Sequence, residues 1–168
     1  MKKICITLCV LLAAAPALFS QECKLLRDTD PYTKETRIST GFLSLQGATV
    51  NVEADPKELD FFFTVSDRCF EDQSTVFIFF EGSKTRTSYR NAGSMNCDGY
   101  FHFKYRNNQS SNTVLNKLST MKVAQFVFTD RNGKEVVVAL LPDQQQAFME
   151  ATACLVKEAK TLIPVPAN

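Results

Sequence analysis

The apolar positions of the chain follow a two-residue period over most of its length and a helical period only near its end. Residues 121–128 and 135–141 are rich in β-branched and aromatic side chains, and the segment Asp130–Gly133 between them has the composition of a tight hairpin turn. Both segments are apolar on both faces, which predicts a hairpin near the middle of a sheet. Pro142 ends the second strand, and Asp143 is a candidate cap for the helix that follows.

Further strands are predicted upstream of this hairpin. Residues 36–52 alternate loosely between apolar and polar side chains, with interruptions at Gly41 and Gly47. We therefore expect two short strands there, with a turn or bulge near Gly47. Residues 59–65 and 74–80 are dense in phenylalanine, a composition typical of buried strands.

The helical period follows the last strand. Phe148, Ala151, Leu155 and Leu162 recur at positions i, i+3, i+7 and i+14, which predicts one long helix with a narrow apolar face. A short helical turn is expected over residues 113–120. The predicted fold class is therefore α+β: a mostly antiparallel sheet or sandwich of seven to nine strands, with the long C-terminal helix packed on it.

The first 20 residues have the pattern of a secretory signal peptide. Lys2 and Lys3 precede an apolar core over residues 4–15, which is too short to span a bilayer comfortably. We expect an exported protein in the periplasm or the extracellular medium, with no membrane span. Residues 21–163 are expected to form a single β-rich domain, and residues 164–168 a loose C-terminal tail.

The net charge of the chain limits the classes of partner that it is expected to bind. Loss of the two leader lysines takes the formal net charge of the chain from +1 to −1. A balance so close to neutral argues against a general nucleic-acid or membrane binder, although a local charged patch is compatible with it.

Four cysteines follow the leader, an even number that suggests two disulfides in an exported chain. We predict the pairs Cys69–Cys97 and Cys23–Cys154, to which the chain-entropy model assigns ~3.6 and ~5 kcal/mol. Metal or redox chemistry is the alternative, but no two of these cysteines have the C-x-x-C spacing and the chain has one histidine. No metal site and no cofactor are predicted.

The inventory of catalytic groups is small. His102 lies on an outward strand face and is interpreted as a surface histidine, and no nucleophile or metalloprotease motif accompanies it. One group of carboxylates (Asp55, Glu58 and Asp60) lies beside a turn signal, where acidic residues are common in any case. A binding or interaction module is therefore preferred, with a β-barrel-like carrier of a small apolar ligand as the alternative. A hydrolase acting on cell-envelope or extracellular material is the second alternative.

The candidate binding site is a basic strand face. Residues 84–90 and 100–106 alternate strictly, and pairing them as a hairpin through the loop 91–99 would bring six basic side chains onto one surface. These are Lys84, Arg86, Arg90, His102, Lys104 and Arg106. An anionic glycan, a lipid headgroup or an acidic protein surface would suit such a patch. The alternative is protective, because basic residues on an edge strand discourage sheet-to-sheet aggregation.

Overall fold

The computed structural model describes residues 23–108 and 112–164, so the predicted signal peptide lies outside the described residues. These residues form nine strands, two α-helices and a short 3₁₀ turn, Lys160–Leu162. The strands are β1 (Leu26–Thr29), β2 (Thr36–Leu45), β3 (Ala48–Ala54), β4 (Glu58–Val65), β5 (Thr75–Phe80), β6 (Arg86–Arg90), β7 (Tyr100–Arg106), β8 (Val123–Thr129) and β9 (Glu135–Ala139). The helices are α1 (Thr113–Thr120) and α2 (Pro142–Ala159).

The strands form two antiparallel sheets that pack face to face. The first has the order β1-β2-β3-β4-β7 and the second the order β6-β5-β8-β9. With the single long helix α2 near the C-terminus, this arrangement confirms the predicted α+β class. Neither helix in the described part of the chain is long and apolar enough to cross a membrane.

Phenylalanine fills the space between the sheets. Phe61 stacks on Phe103 at 5.0 Å between ring centroids, and Phe63 meets Phe126 of the opposite sheet at 4.9 Å. Helix α2 packs against β2 and β3 and contributes Phe148, whose ring contacts both Phe61 and Phe126. These five rings are completely or almost completely buried, so the strict alternation along β4 and β7 follows from one apolar face turned toward this core.

The predicted hairpin of residues 84–90 with 100–106 is wrong. Strand β6 pairs with β5, and β7 pairs with β4. The two strands meet only at the edges of their sheets, where Tyr89 stacks on Phe103 at 4.7 Å. The physical reason lies in the connecting loop: Asn96 pairs with Phe70, and Cys97 is bonded to Cys69. Because the loop is held at these two residues, it leads from β6 in one sheet to β7 in the other.

The predicted hairpin of β8 and β9 is present. Its predicted position near the middle of the sheet is right for β8 and wrong for β9. Gly133, with φ of +75°, completes the turn, and Asp130 accepts hydrogen bonds from the turn amides of Asn132 and Lys134. Strand β8 lies inside its sheet, whereas β9 is the edge strand, with Val137 57% exposed. An apolar outward face therefore did not mean burial on both sides.

Both predicted disulfides are present. Cys23–Cys154 joins the segment before β1 to helix α2, and Cys69–Cys97 joins the end of β4 to the loop before β7. Helix α2 begins at Pro142, so Asp143 lies in its first turn and is not the predicted cap. Instead, the side chain of Gln144 accepts a hydrogen bond from the amide of Leu141 at 3.0 Å.

Candidate functional site

The outer face of the five-stranded sheet carries polar and aromatic side chains in register with one another. Alternate residues of β2, β3, β4 and β7 point away from the core, and the ladder registers align them in rows across the strands. One row is mainly aromatic and the next is charged. The aromatic row contains Phe42, Asn51, Phe62 and His102, with Tyr100 beside it; the charged row contains Glu53, Asp60 and Lys104, with Arg37 and Glu58 beside it.

A β-bulge in β2 presents the first aromatic ring of this face. The register between β2 and β3 shifts between Ser39 and Phe42. There Gly41 adopts a φ of +69°, and the hydroxyl of Thr40 accepts a hydrogen bond from the amide of Val52 at 3.1 Å. Bulges of this kind redirect side chains at sheet surfaces. The result is that the side chain of Phe42 is 71% exposed.

The aromatic strip, defined as Phe42, Phe62 and Tyr100, surrounds a polar residue. Phe42 and Phe62 are the ladder partners of Asn51 on its two sides. The ring of Phe62 also contacts that of Tyr100 at 5.3 Å and that of His102 at 5.9 Å between centroids. Large apolar groups held on an outer sheet face, with a polar group between them, are typical of contact surfaces.

Asn51 is the one unusual polar residue of this surface. It is only 7% exposed, and its Nδ2 donates a hydrogen bond to Glu53 Oε1 at 2.7 Å. Its Oδ1 is buried and has no hydrogen-bond partner among the described residues. Exchanging the amide oxygen and nitrogen would place two acceptors together at Glu53, so the orientation is fixed. A buried acceptor without a donor costs about 1–3 kcal/mol, which a donor from a ligand would recover.

Both cations of the charged row are paired with carboxylates of the same row. Lys104 Nζ binds Glu58 Oε1 and lies 3.6 Å from Asp60 Oδ2, and the hydrogen bond with Glu58 raises the pKa of Lys104. Arg37 forms an ion pair with Glu53 at 3.6 Å. These five residues line a shallow depression of about 250 Å³. Within the described ranges, no group of three or more His, Cys, Asp or Glu side chains is arranged to hold a metal ion.

His102 is held by a carboxylate rather than left free on the surface. Its Nδ1 lies 2.9 Å from Asp60 Oδ2, and only 19% of its side chain is exposed. A carboxylate on Nδ1 is how catalytic histidines are oriented. The loop passes close to the other ring nitrogen, since a Cβ built on Gly93 would lie 3.0 Å from Nε2. The glycine at position 93 therefore leaves room for the imidazole ring, which a larger side chain would crowd.

The six predicted binding residues do not form one surface. His102, Lys104 and Arg106 lie on the outer face of the first sheet, where β4 places Glu58 and Asp60 opposite or beside them. The other three lie in or just before strand β6 of the second sheet. Lys84 precedes β6, and Arg86 and Arg90 are the first and last residues of that strand. The guanidinium of Arg86 lies 4.0 Å from the ring centroid of Phe77.

The sequence analysis missed the aromatic strip and Asn51. Phe62 lies at an outward position of a strand whose other phenylalanines, Phe61 and Phe63, are buried, and Phe42 follows a bulge in a strand that has no other phenylalanine. Composition does not distinguish outward rings from buried ones. The signal that could have found Phe62 is its place between Phe61 and Phe63, because three successive residues of a strand cannot all face one side.

No family model, curated protein or solved structure matches this chain. The geometry of the described residues is therefore the only basis for the candidate site.

Proposed function

We propose that the protein is an exported binding module that holds its ligand on the aromatic strip of the five-stranded sheet. The observation that carries this proposal is the buried, unpartnered Oδ1 of Asn51 between Phe42 and Phe62. Buried polar groups are normally hydrogen-bonded within the fold. An acceptor left unpaired between aromatic rings on an outer face suits a surface that a ligand completes.

Export is supported by two independent features. The leader has the charge and apolar pattern of a signal peptide, and the two disulfides suit an oxidising compartment.

The packing of the interior disfavours the carrier alternative. A carrier of an apolar molecule needs space between its sheets, and that space is filled by phenylalanine rings in mutual contact, among them Phe61, Phe63 and Phe126. The absence of a nucleophile motif to accompany His102 disfavours the hydrolase alternative. Binding on an outer face requires neither an interior cavity nor a free nucleophile.

The ion pairs of His102 and Lys104 are a reason to propose the aromatic strip, rather than the predicted basic strand face, as the binding surface. Lys104 and His102 are already bound to carboxylates of β4, so an anion would compete with those carboxylates. Arg86 and Arg90 on β6 stay candidates for an anionic partner, but no contact in the described residues favours that choice over the protective role of charges on an edge strand.

Small organic probes test the location of the binding surface. A ¹⁵N-labelled protein is titrated with phenol, 2-propanol and acetamide, and shifts of the backbone amides and of the Asn51 side-chain amide are followed. We expect the largest shifts in β3 and β4 around Asn51, lost in Phe62→Ala and kept in the control Tyr32→Ala, which removes an exposed ring of the β1–β2 loop. Shifts concentrated around Phe77 and Val137 on the second sheet would show that the proposed surface is wrong.

A further inference from the structure

We infer that the ligand of the aromatic strip is an uncharged carbohydrate chain that lies across β2, β3 and β4 and donates a hydroxyl to Asn51 Oδ1. This inference rests on the proposed function and deepens it. It joins three observations on one face: the aromatic rings, the unpaired acceptor of Asn51, and the charged row, whose two cations are already paired with carboxylates.

The aromatic rings fit the apolar faces of sugar rings. Phe42 and Phe62 flank Asn51 on the neighbouring strands, so they are separated by two strand spacings, about 9.5 Å. In an extended oligosaccharide, two sugar rings separated by one further sugar span such a distance. Sugar C–H groups pack on aromatic faces while the hydroxyls remain at the ring edges, within reach of polar groups between the aromatic residues.

The orphan acceptor defines what the ligand must supply between those rings. Asn51 Oδ1 can only accept hydrogen bonds and has no donor among the described residues, so the ligand must place a donor there. A hydroxyl meets this need with a neutral group. Access requires a neighbouring side chain to move, and Phe42 is the residue suited to do so because it lies directly opposite and is mostly exposed.

The charged row disfavours an anionic ligand and offers acceptors to a ligand with many hydroxyls. Arg37 is paired with Glu53, Lys104 with Glu58, and His102 Nδ1 lies 2.9 Å from Asp60. An anionic ligand would have to displace one of these carboxylates. Hydroxyls donate and accept at once, so they can use the remaining lone pairs of the carboxylates and the remaining protons of Lys104 without breaking any pair.

Native affinity electrophoresis of the full chain without its leader tests the inference. The gels contain dextran, amylopectin, galactomannan or xyloglucan as neutral probes, and alginate or polygalacturonate as acidic ones. We expect retardation by at least one neutral probe and weaker or no retardation by the acidic ones. Asn51→Ala is expected to weaken binding about tenfold, because a buried hydrogen bond to the ligand is lost. The matched control Thr49→Ala, an outward neighbour on the same strand, should bind like the parent.

Thermal unfolding separates loss of the site from loss of the fold. Asn51→Ala removes the unpaired acceptor together with the hydrogen bond from Nδ2 to Glu53, and these two effects oppose each other, so its thermal midpoint should stay close to that of the parent while its binding falls. A lowered midpoint with unchanged binding would show that Asn51 is structural and overturn the inference. So would retardation by acidic probes alone, or by none.

The two proposals fail in different ways. If no polysaccharide retards the protein but the small organic probes still collect around Asn51, the carbohydrate inference is wrong and the binding surface stands. If, in addition, the organic probes bind around Phe77 and Val137 on the second sheet instead of around Asn51, both the carbohydrate inference and the proposed binding surface are wrong.

Discussion

At the scale of single residues, Gly99 shows how a backbone contact fixes one position at the start of β7. Its φ is +78°, and a Cβ on it would overlap the carbonyl oxygen of Val65. The close approach exists because Val65 donates its amide to the carbonyl of Gly99 at 2.8 Å. This contact ties the end of β4 to the start of β7 and so helps to set the outer face that carries the aromatic strip.

Gly99→Ala should therefore lower the free energy of unfolding by roughly 3 kcal/mol, from overpacking together with the left-handed backbone. Chemical denaturation measures the loss. Gly47→Ala is the matched control, because Gly47 has the same φ of +78° but no atom within 4 Å of its Cβ position. It should lose only about 1 kcal/mol. Equal losses in the two variants would show that backbone conformation, not the contact with Val65, is what matters.

Tyr105 and Tyr89 make stability depend on alkaline pH. Burial raises the pKa of both phenols, and most strongly that of Tyr105. A raised pKa means that the folded state holds the proton more tightly than the unfolded state. Its contribution to stability is complete below the unfolded pKa of about 10 and is lost as the pH rises above that value. Urea denaturation between pH 8 and pH 11 should show this decline, and Tyr105→Phe should flatten it. A decline equally steep in Tyr105→Phe would assign it to other groups.

Residue type did not reveal the central residue of the site. The sequence places Asn51 in a strand, and the alternation of β3 turns it outward. Whether its two amide atoms find partners depends on Glu53, on the bulge at Gly41 and on rings from two other strands. Those relations exist only after the strands pair, so no local pattern contains them.

At the scale of elements, alternation predicts which face of a strand is buried but not which strand lies beside it. Strands β6 and β7 alternate as expected, and Tyr89 and Phe103 point inward as expected. The predicted pairing was wrong because the loop between them, held at Asn96 and Cys97, leads from one sheet to the other, so β6 pairs with β5 and β7 with β4. Turn chemistry did predict the β8–β9 hairpin, since there the connection is short enough for local residues to decide it.

The contact between the edges of the two sheets depends on Asn91. This residue is buried, and its Oδ1 accepts from the amides of Gly93 and His102 while its Nδ2 donates to the carbonyls of Gly93 and Glu71. Asn91→Ala would leave these backbone groups unpaired. We expect the free energy of unfolding to fall by about 3 kcal/mol.

The control for this change is Asn132→Ala in the exposed β8–β9 turn, which should alter the free energy of unfolding by less than about 0.5 kcal/mol. Both values come from urea denaturation. A loss at Asn91 no larger than at Asn132 would show that the stacking of Tyr89 on Phe103 holds the two edges together without help.

At the scale of the whole molecule, side chains pack the space between the two sheets, and the proposed binding surface lies on the outer face of the five-stranded sheet. Among the described residues, phenylalanine rings in mutual contact fill the space between the sheets, and two disulfides tie the segment before β1 and the loop before β7 to the rest. Cysteine count and strand composition were enough to predict this scaffold. The proposed binding surface was not predictable, because it is made of side chains that four separate strands bring together.

Hydroxyl-radical footprinting tests the central claim, that the aromatic strip is the surface the natural ligand covers. The chain from residue 21 onward is oxidised with and without polysaccharide from the envelope and culture fluid of the cells that produce it, and oxidation is measured residue by residue. The account predicts that oxidation of Phe42 and Tyr100 falls severalfold when the material is added, while Tyr32, which is 92% exposed, and Val137 on the second sheet are unchanged. Protection of Val137 with no protection of Phe42 would contradict it.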